Sequence, residues 1–490
     1  SAGQPMPMWL RKAARSIWMK LNTNKIIAES TYCRGVIYRA RQNGSDKSDP
    51  YRRTAIDRFS VGAPFMAPDA RTIARISAVY IVLLFSTCCI FMSSCAPAPK
   101  VRIHALKGKA YQLLVDNKPY IIKGACYSPI PIGKGNPYDF WSDPNEPWKV
   151  DGKLMKEMGI NTVRFYQPPD NPENGKKVIR DLYQLYGIRS ILGSWLGFWE
   201  YPCPRYADSD FREKVKKEVL DMVAYYKDEP GILLWILGNE NNYSFNERVN
   251  PWGSREIDEI KDVKKRYDIR AGIYYSFVNE LAGEIHKIDH NHPVALGNGE
   301  LISLDTANQA CPDVDLVALI IYRGRSFGNL FKSLRATFDK PVMLSEFGAD
   351  AYNAYLKKED QPIQGFFLEE QWKEIFKNAY PYKDGAQNCL GGTMFEWSDE
   401  WWKHNESAPD GWLAHDTESN WSNGSYYFDI QAERNLNMNE EWFGIVALSE
   451  ELENGVNKRV PRKAYYVLRE LWKDPYAKLK PKVKKSKVNK

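Results

Sequence analysis

Two short apolar runs in this chain each end abruptly in a glutamate. The run at 233–237 is followed by Gly-Asn-Glu, ending at Glu240, and the run at 341–344 is followed by Ser-Glu, ending at Glu346. An unbroken apolar run of this length is typical of a strand that is buried on both faces. We therefore predict two buried strands that each deliver a carboxylate into a pocket. Either motif alone could be an ordinary strand-to-helix cap.

Similar apolar runs recur along the chain and alternate with helical patterns. Eight strands are predicted at 121–126, 161–166, 189–195, 233–237, 294–297, 316–322, 342–346 and 391–397, and helices at 148–158, 175–186, 210–226, 273–288 and 368–378. This alternation predicts an α/β fold, a single closed (β/α)8 TIM barrel whose active site lies at the carboxyl ends of the strands. An open doubly wound sheet is the alternative, but no Gly-rich phosphate loop follows the first strand.

Shorter elements flank the predicted barrel. A short N-terminal β-hairpin, formed by 101–115 and 118–123 with a turn at Asp116-Asn117, leads into the first strand. A closing helix at 464–472 is expected to seal the barrel. The catalytic domain is thus assigned to 103–475, and the Lys-rich stretch at 476–490 to a basic disordered tail.

The first 95 residues have a different character. Residues 1–70 show no sustained periodicity and are interpreted as a disordered or non-native leader. In 71–95, two arginines precede a long apolar stretch and the sequence Met-Ser-Ser-Cys, which resembles a bacterial lipoprotein signal with Cys95 as the lipidated residue. That resemblance implies an exported protein, lipid-anchored to the cell envelope at the outer membrane or in the periplasm, with 96–102 as a tether. A single transmembrane anchor is the alternative.

Composition narrows the function classes. The chain has 490 residues, 16 Trp and 29 Tyr, and aromatic rings that do not serve the core can stack on sugars. Much of the net charge of +7 comes from the two ends, so we predict no nucleic-acid partner. The cysteines after the leader, which are Cys126, Cys203, Cys311 and Cys389, contain no C-x-x-C pair. No metal site and no cofactor are predicted.

The two glutamate motifs carry a family resemblance. Leu-Gly-Asn-Glu, ending at Glu240, resembles the acid/base motif of the clan A glycoside hydrolases, and Leu-Ser-Glu-Phe-Gly-Ala around Glu346 resembles the nucleophile motif of their family two. The resemblance extends over about 101–472. It implies that Glu240 is the catalytic acid/base and Glu346 the catalytic nucleophile of a retaining enzyme that works by double displacement.

The same resemblance extends to residues at other strand ends. It implies that Arg164 keeps the nucleophile carboxylate ionised, that Tyr322 hydrogen-bonds it, and that Trp397 floors the subsite for the cleaved sugar. Asn239 would bind the sugar 2-hydroxyl. Each of these residues, taken singly, could be structural.

The loop after the eighth strand is long and rich in tryptophan. We expect Trp401, Trp402 and Trp412 to line sugar subsites, with Trp195, Phe198 and Trp199 as similar candidates after the third strand. Glu396 and Glu400 are rival carboxylates. Strand alternation predicts that Glu396 points away from the side on which Trp397 lies.

These observations predict an exported retaining β-glycoside hydrolase or transglycosidase that acts on an oligo- or polysaccharide. A β-glucan is favoured, because the long β-sandwich regions usual in family two are missing before the barrel. The alternative is a non-catalytic carbohydrate-binding surface lipoprotein on the same barrel, which fold resemblance by itself does not exclude.

Overall fold

Eight parallel strands close into a barrel in the computed structural model of this protein. The structure describes residues 101–197, 204–246, 252–353, 356–403, 409–417 and 439–479. Cys95, the predicted leader, most of the tether and most of the basic tail therefore lie outside the described residues. None of the described helices combines the length and the apolar composition needed to cross a bilayer.

Strands and helices follow one another through the described residues. The strands are β1 (Val101–Leu106), β2 (Ala110–Val115), β3 (Lys118–Tyr120), β4 (Ile122–Cys126), β5 (Thr162–Phe165), β6 (Arg189–Ser194), β7 (Ile232–Leu237), β8 (Val294–Gly299), β9 (Leu316–Ile320), β10 (Val342–Glu346), β11 (Tyr352–Asn353), β12 (Lys358–Glu359), β13 (Cys389–Met394), β14 (Val446–Glu453) and β15 (Val456–Pro461). The α-helices are α1 (Pro147–Met158), α2 (Pro172–Tyr186), α3 (Ser209–Tyr226), α4 (Arg255–Asp258), α5 (Val263–Ile288), α6 (Leu304–Ala310), α7 (Leu330–Thr337), α8 (Gln361–Asn378) and α9 (Lys463–Lys473).

The barrel strands pair in the order β10-β13-β4-β5-β6-β7-β8-β9, and β9 pairs with β10 to close the ring. Each barrel strand is parallel to its neighbours, so all carboxyl ends lie at one rim. All six residues of β7 are buried, as expected for a strand between a barrel interior and an outer helical layer. The predicted (β/α)8 barrel is confirmed.

The N-terminal sheet of β1, β2 and β3 packs against the end of the barrel at which the strands begin. Val101, Leu113 and Val115 belong to the same buried cluster as Ile122 and Leu390, which lie near the starts of barrel strands. The expected hairpin is present, but with an additional turn: residues 107–109 divide its first arm into β1 and β2, which gives a three-stranded antiparallel sheet. The apolar pattern did not indicate this turn.

Several other elements differ from the sequence prediction. Helices α6 and α7 were missed because each spans about two turns, too short for a clear periodic signal. Helix α5 begins ten residues earlier than predicted, because most of its first turns are exposed and carry no apolar stripe. The antiparallel pair β14 and β15 was also missed. Residues 476–479 are not part of a free tail, since Leu479 is buried and the Tyr476 ring stacks on Tyr382.

A buried ion pair fastens the end of β15 to the loop after β13. Arg462 donates to both carboxylate oxygens of Asp399, at 2.5 Å to Oδ1 and 2.8 Å to Oδ2. Only 1% of the Arg462 side chain and none of the Asp399 side chain is exposed. Arg462 also donates to Gly444 O and to Glu359, so one guanidinium joins four segments of the chain.

Replacing Arg462 with methionine should therefore lower the free energy of unfolding by about 3–5 kcal/mol, because Asp399 would keep a buried charge without its partner. Chemical denaturation followed by tryptophan fluorescence measures this loss. Arg255→Met is the matched control, since Arg255 is 87% exposed and pairs with Glu259 one turn away; we expect a negligible change there. Equal losses in the two variants would contradict the structural role of Arg462.

Candidate active site

The carboxyl-terminal rim of the barrel brings together five of the residues predicted from the sequence. Arg164 lies in β5, Glu346 ends β10, and Asn239 and Glu240 follow β7 within three residues. Tyr322 follows β9 by two residues. Because parallel strands present their carboxyl ends at one edge, residues 182 positions apart in the chain, such as Arg164 and Glu346, meet there.

The Glu346 carboxylate accepts hydrogen bonds from three side chains. Oε1 accepts from Arg164 Nη1 at 2.8 Å and from the Tyr166 hydroxyl at 2.8 Å, and Oε2 accepts from the Tyr322 hydroxyl at 3.1 Å. The residue is 7% exposed. A buried carboxylate with charge-assisted donors on both oxygens has a fixed orientation, and Oε2, which has a single longer bond, keeps the freer lone pair.

Arg164 links this carboxylate to the turn after β7. Its Nη2 donates to Asn239 Oδ1 at 2.6 Å, and its Nη1 also reaches Ser345 O at 3.0 Å. The guanidinium carbon lies 4.3 Å from the centroid of the Tyr166 ring. Because the amide oxygen of Asn239 faces the guanidinium, its NH2 group is the part that remains to donate to another molecule.

The turn that carries Glu240 is held by amide side chains and by a glycine. Asn241 Oδ1 accepts from Asn239 N at 2.7 Å, and Asn242 bonds Gly299 in both directions, at 2.9 and 2.8 Å. Gly238 has φ +79°, and a Cβ there would lie 2.3 Å from the Tyr274 hydroxyl oxygen. Glycine is therefore required at 238 in the turn that places Glu240 at the rim.

Glu240 lies close enough to Glu346 for the two charges to interact. Burial, followed by the negative charges of Glu346 and Glu440, raises the pKa of Glu240 well above its usual range, while Arg164 and Lys403 act in the opposite direction. A carboxyl group with a raised pKa keeps its proton near neutral pH and can donate it. The site thus pairs Glu346, whose carboxyl group is oriented by three donors, with Glu240, whose surroundings favour the protonated form.

Tyr166 was missed by the sequence prediction as a site residue. Its ring stacks on Trp195, with centroids 5.0 Å apart and planes 10° apart, so Trp195 is linked to the site through Tyr166. Period-two alternation places Tyr166 on the same side as Arg164, and this rule could have identified it. Phe198 and Trp199 lie outside the described residues.

The prediction for Trp397 is wrong. Its side chain is fully buried, its indole N–H donates to Asp151 Oδ1 at 2.8 Å, and its ring contacts Tyr465, so it packs between the barrel and the surrounding elements. The strand was expected to continue to 397, but β13 ends at Met394, so alternation does not extend that far. The aromatic ring beside Tyr322 belongs to Phe395, with centroids 6.4 Å apart.

The tryptophans after β13 differ in their surroundings. Trp401 is partly exposed and stacks on His415, which stacks in turn on Trp442 at 3.6 Å. Trp402 is 5% exposed, so it does not offer the ring face expected of a sugar platform. The Trp412 ring packs against Gly135, where a Cβ would lie 2.3 Å from it. Trp401 is therefore the one of these three that keeps its role as a candidate platform.

Glu396 and Glu400 are buried together near the rim. Glu396 is 1% exposed and Glu400 is 5% exposed. Burial and the charge of Glu400 raise the pKa of Glu396, and burial raises the pKa of Glu400 to about 7. Strand alternation, used to set Glu396 aside in favour of Trp397, does not apply beyond Met394. Glu396 is buried beside Glu400, whereas the Trp397 indole donates to Asp151 in the core.

Active sites of TIM barrels lie at the carboxyl-terminal rim, and a pair of carboxyl groups is what glycoside hydrolysis uses, so the arrangement found here suits that chemistry. Within the described ranges, no group of His, Cys, Asp and Glu is arranged to hold a metal ion.

Comparison with known proteins gives one curated relative. The 1,3-β-glucanosyltransferase GAS4 of Saccharomyces cerevisiae is 24% identical over 310 residues, which cover 60% of this chain and 59% of the yeast protein. The chain thus spans about three fifths of that relative's length. No family model matches the chain. The curated relative confirms that the chain resembles enzymes that act on β-glycosidic bonds, as the two glutamate motifs indicated.

Solved structures with a similar arrangement include larger enzymes. The β-glucuronidase of Parabacteroides merdae is 14% identical, with a TM-score of 0.49, and the match covers 76% of this chain and 39% of that one. For the GH2 β-galacturonidase of Eisenbergiella tayi the identity is 15%, the TM-score 0.46 and the coverages 76% and 54%. The β-glucuronidase of Bacteroides uniformis is 15% identical, with a TM-score of 0.49, and the match covers 76% of this chain and 37% of that one.

The electrostatic effect of Glu346 on Glu240 leads to a titration prediction. In Glu346→Gln the pKa of Glu240 should fall, because a negative charge that disfavours its ionisation is removed and Arg164 loses its carboxylate partner. It should stay above the ordinary value of about 4.3, because burial remains. The measurement is 13C NMR of labelled glutamate, with the Glu240 signal assigned by its loss in Glu240→Gln. Glu453→Gln, an exposed change, is the control; an unchanged pKa in Glu346→Gln would refute the coupling.

Proposed function

We propose that this protein is a retaining β-glycoside hydrolase or transglycosidase that acts on a β-linked glucan by double displacement. The observation that carries this proposal is the environment of Glu346, whose carboxyl group is oriented by Arg164, Tyr166 and Tyr322 near Glu240, whose pKa is raised well above its usual range by burial and by the charge of Glu346. These are the two roles, nucleophile and acid, that a retaining mechanism needs.

In the first step, Glu346 Oε2 attacks the anomeric carbon and forms a glycosyl ester. The bond from that carbon to the glycosidic oxygen breaks at the same time, and Glu240 transfers its proton to the departing oxygen. Oε1 is the less suitable attacking atom, because Arg164 and Tyr166 both donate to it. The Asn239 NH2 group donates to the sugar 2-hydroxyl, a contact that strengthens as positive charge develops on the ring.

In the second step, Glu240 acts as a base. Esterification removes the negative charge of Glu346, which is a cause of the raised pKa of Glu240, so the pKa of Glu240 falls once the ester has formed. The ionised Glu240 then takes a proton from a water molecule or from an acceptor sugar, whose oxygen displaces Glu346 from the anomeric carbon. Hydrolysis and transfer thus use the same groups and differ only in the acceptor.

A β-glucan is the favoured substrate for two reasons. The curated relative is named as a 1,3-β-glucanosyltransferase. In addition, Trp401 and Trp195 are partly exposed and are held by stacking on His415 and Tyr166, which suits rings that receive the apolar faces of successive sugars.

We also propose that the protein is exported and lipid-anchored through Cys95. This part rests on the sequence alone, which combines Arg71 and Arg75, the apolar stretch and Met-Ser-Ser-Cys ending at Cys95.

Azide rescue tests the catalytic roles in the full chain. With an activated aryl β-glucoside, Glu346→Ala should be inactive, and azide should restore turnover with an α-glucosyl azide as the product, because azide fills the space of the nucleophile. Glu240→Ala should still form the ester, and azide should then give the β-glucosyl azide. On laminarin, Glu240→Ala should be about 10²–10⁴-fold slower than wild type.

Product analysis on β-1,3-, β-1,4- and β-1,6-glucans accompanies the rescue assay. Retained anomeric configuration agrees with double displacement, and products longer than the substrate identify transfer. Inverted products would refute the mechanism. A folded wild-type chain that binds glucan and turns over none of these substrates would instead favour the non-catalytic binding lipoprotein.

Metabolic labelling with radioactive palmitate tests the anchor. The wild-type chain expressed in a bacterium should incorporate label and fractionate with membranes, and Cys95→Ala should do neither. Cys88→Ala and Cys89→Ala are matched controls, because they lie in the apolar stretch and not at the predicted lipidation position. Label that persists in Cys95→Ala would contradict the assignment.

A further inference from the structure

The loop after β13 carries a polar cluster that the proposed mechanism does not use. Glu396 and Glu400 are buried, and Lys403 lies 3.4 Å from Glu400 Oε2 and 3.1 Å from Glu440 Oε2. Only 22% of the Lys403 side chain is exposed. Buried charges of this kind are costly to keep, so their presence beside an active site calls for a functional explanation.

Four buried polar atoms of this loop have no hydrogen-bond partner in the described part of the chain. Two are carboxyl oxygens, Oε1 of Glu396 and Oε2 of Glu400, and two are indole nitrogens, Nε1 of Trp401 and of Trp402. Glu400 Oε2 lies within ion-pair distance of Lys403, at 3.4 Å. An unpaired buried polar atom costs about 1–3 kcal/mol, and proteins rarely retain one without a use. The carboxyl oxygens can accept and the indole nitrogens can donate, and a sugar hydroxyl does both, so hydroxyl groups can satisfy either kind of atom.

The cluster is adjacent to the proposed catalytic pair. Phe395, which directly precedes Glu396, contacts the ring of Tyr322, and Tyr322 donates to Glu346. The backbone N–H of Glu396 donates to Phe443 O, and the Phe443 ring contacts Tyr322 as well. The charges of Glu440 and Lys403 also act on the pKa of Glu240. A sugar held at the catalytic carboxyl groups is therefore within reach of this loop.

The cations near Glu240 are already occupied. Arg164 and Lys403 are the two positive groups that act on its pKa. Arg164 pairs with Glu346, and Lys403 lies between Glu400 and Glu440. Among the described residues, a substrate carboxylate would therefore meet Glu240, Glu396 and Glu400 while the two nearby cations are already paired, which is unfavourable. A hydroxymethyl group would instead supply a donor.

We infer that Glu396, Glu400 and Lys403 form a hydroxyl-binding subsite that accepts an uncharged pyranose and excludes a pyranose that carries a carboxylate. This inference rests on the proposed function, because it specifies the substrate class of the same site. Glu396 and Glu400 accept hydrogen bonds from sugar hydroxyls, and Trp402 Nε1 donates to one. Lys403 keeps Glu400 in position through its ion pairs with Glu400 and Glu440.

Calorimetric binding to the full-length Glu240→Gln variant tests the inference without turnover, since Gln copies the protonated acid. The probes are laminari-oligosaccharides and the same oligosaccharides oxidised at C6 to carboxylates, compared at a pH above the pKa of Glu400. We expect the neutral form to bind at least about tenfold more tightly, which corresponds to about 1.4 kcal/mol. The preference should weaken at high salt, because charge repulsion is screened.

Two further changes in the Glu240→Gln background should shift the affinity for the oxidised probe in opposite directions. Glu400→Gln should weaken binding of the neutral probe and strengthen binding of the oxidised probe, because an acceptor and a negative charge are removed. Lys403→Met should weaken binding of the oxidised probe further. Glu453→Gln is the exposed control and should change neither affinity. Thermal unfolding of each variant verifies that it is folded, and a purely structural role would not shift the two probes in opposite directions.

The inference is overturned if neither probe binds, if the oxidised probe binds as tightly as the neutral one, or if Glu400→Gln leaves the preference unchanged. These outcomes are independent of the proposed reaction. A chain that cleaves glucan but does not discriminate between the probes retains the proposed function and loses the subsite. A chain that discriminates but fails the azide rescue assay retains the subsite and loses the enzyme.

Discussion

The contact between Arg164 and Glu346 is the interaction on which the rim of this barrel depends. The two side chains are 2% and 9% exposed, so neither charge is well solvated and each needs the other. Tyr166, Tyr322 and Asn239 surround the pair with further hydrogen bonds. These residues come from different parts of the barrel, so the position of the Glu346 carboxylate depends on β5, on the turn after β7 and on the segment after β9.

The two ends of the barrel have different environments, one apolar and the other polar and charged. The amino-terminal end is filled by apolar side chains of the N-terminal sheet, such as Leu113 and Val115, which stabilise it by ordinary burial. The carboxyl-terminal end holds charged and amide groups in a partly desolvated space, which is costly but strengthens every electrostatic interaction there. The raised pKa of Glu240 depends on this second environment.

The parts of the structure with local signals could be predicted from the sequence. The strands β7 and β10 are continuous apolar runs, and their polar ends placed Glu240 and Glu346 correctly at the rim. Tyr166 was missed, although its position two residues after Arg164 could have identified it. Trp397 could not be assigned, because where β13 ends depends on tertiary contacts. The proximity of Lys403 to Glu440 was equally inaccessible, since it joins positions far apart in the chain.

The ion pair between Arg462 and Asp399 has a consequence for the order in which the rim can be completed. Seven of the eight barrel strands precede residue 347, whereas β13, which closes the ring, and Arg462, which fixes the loop after it, follow. A chain cut between Glu346 and β13 would therefore contain Glu240 and Glu346 and still lack the strand that closes the barrel around them. Both glutamates depend on residues more than forty positions further along the chain for a complete rim.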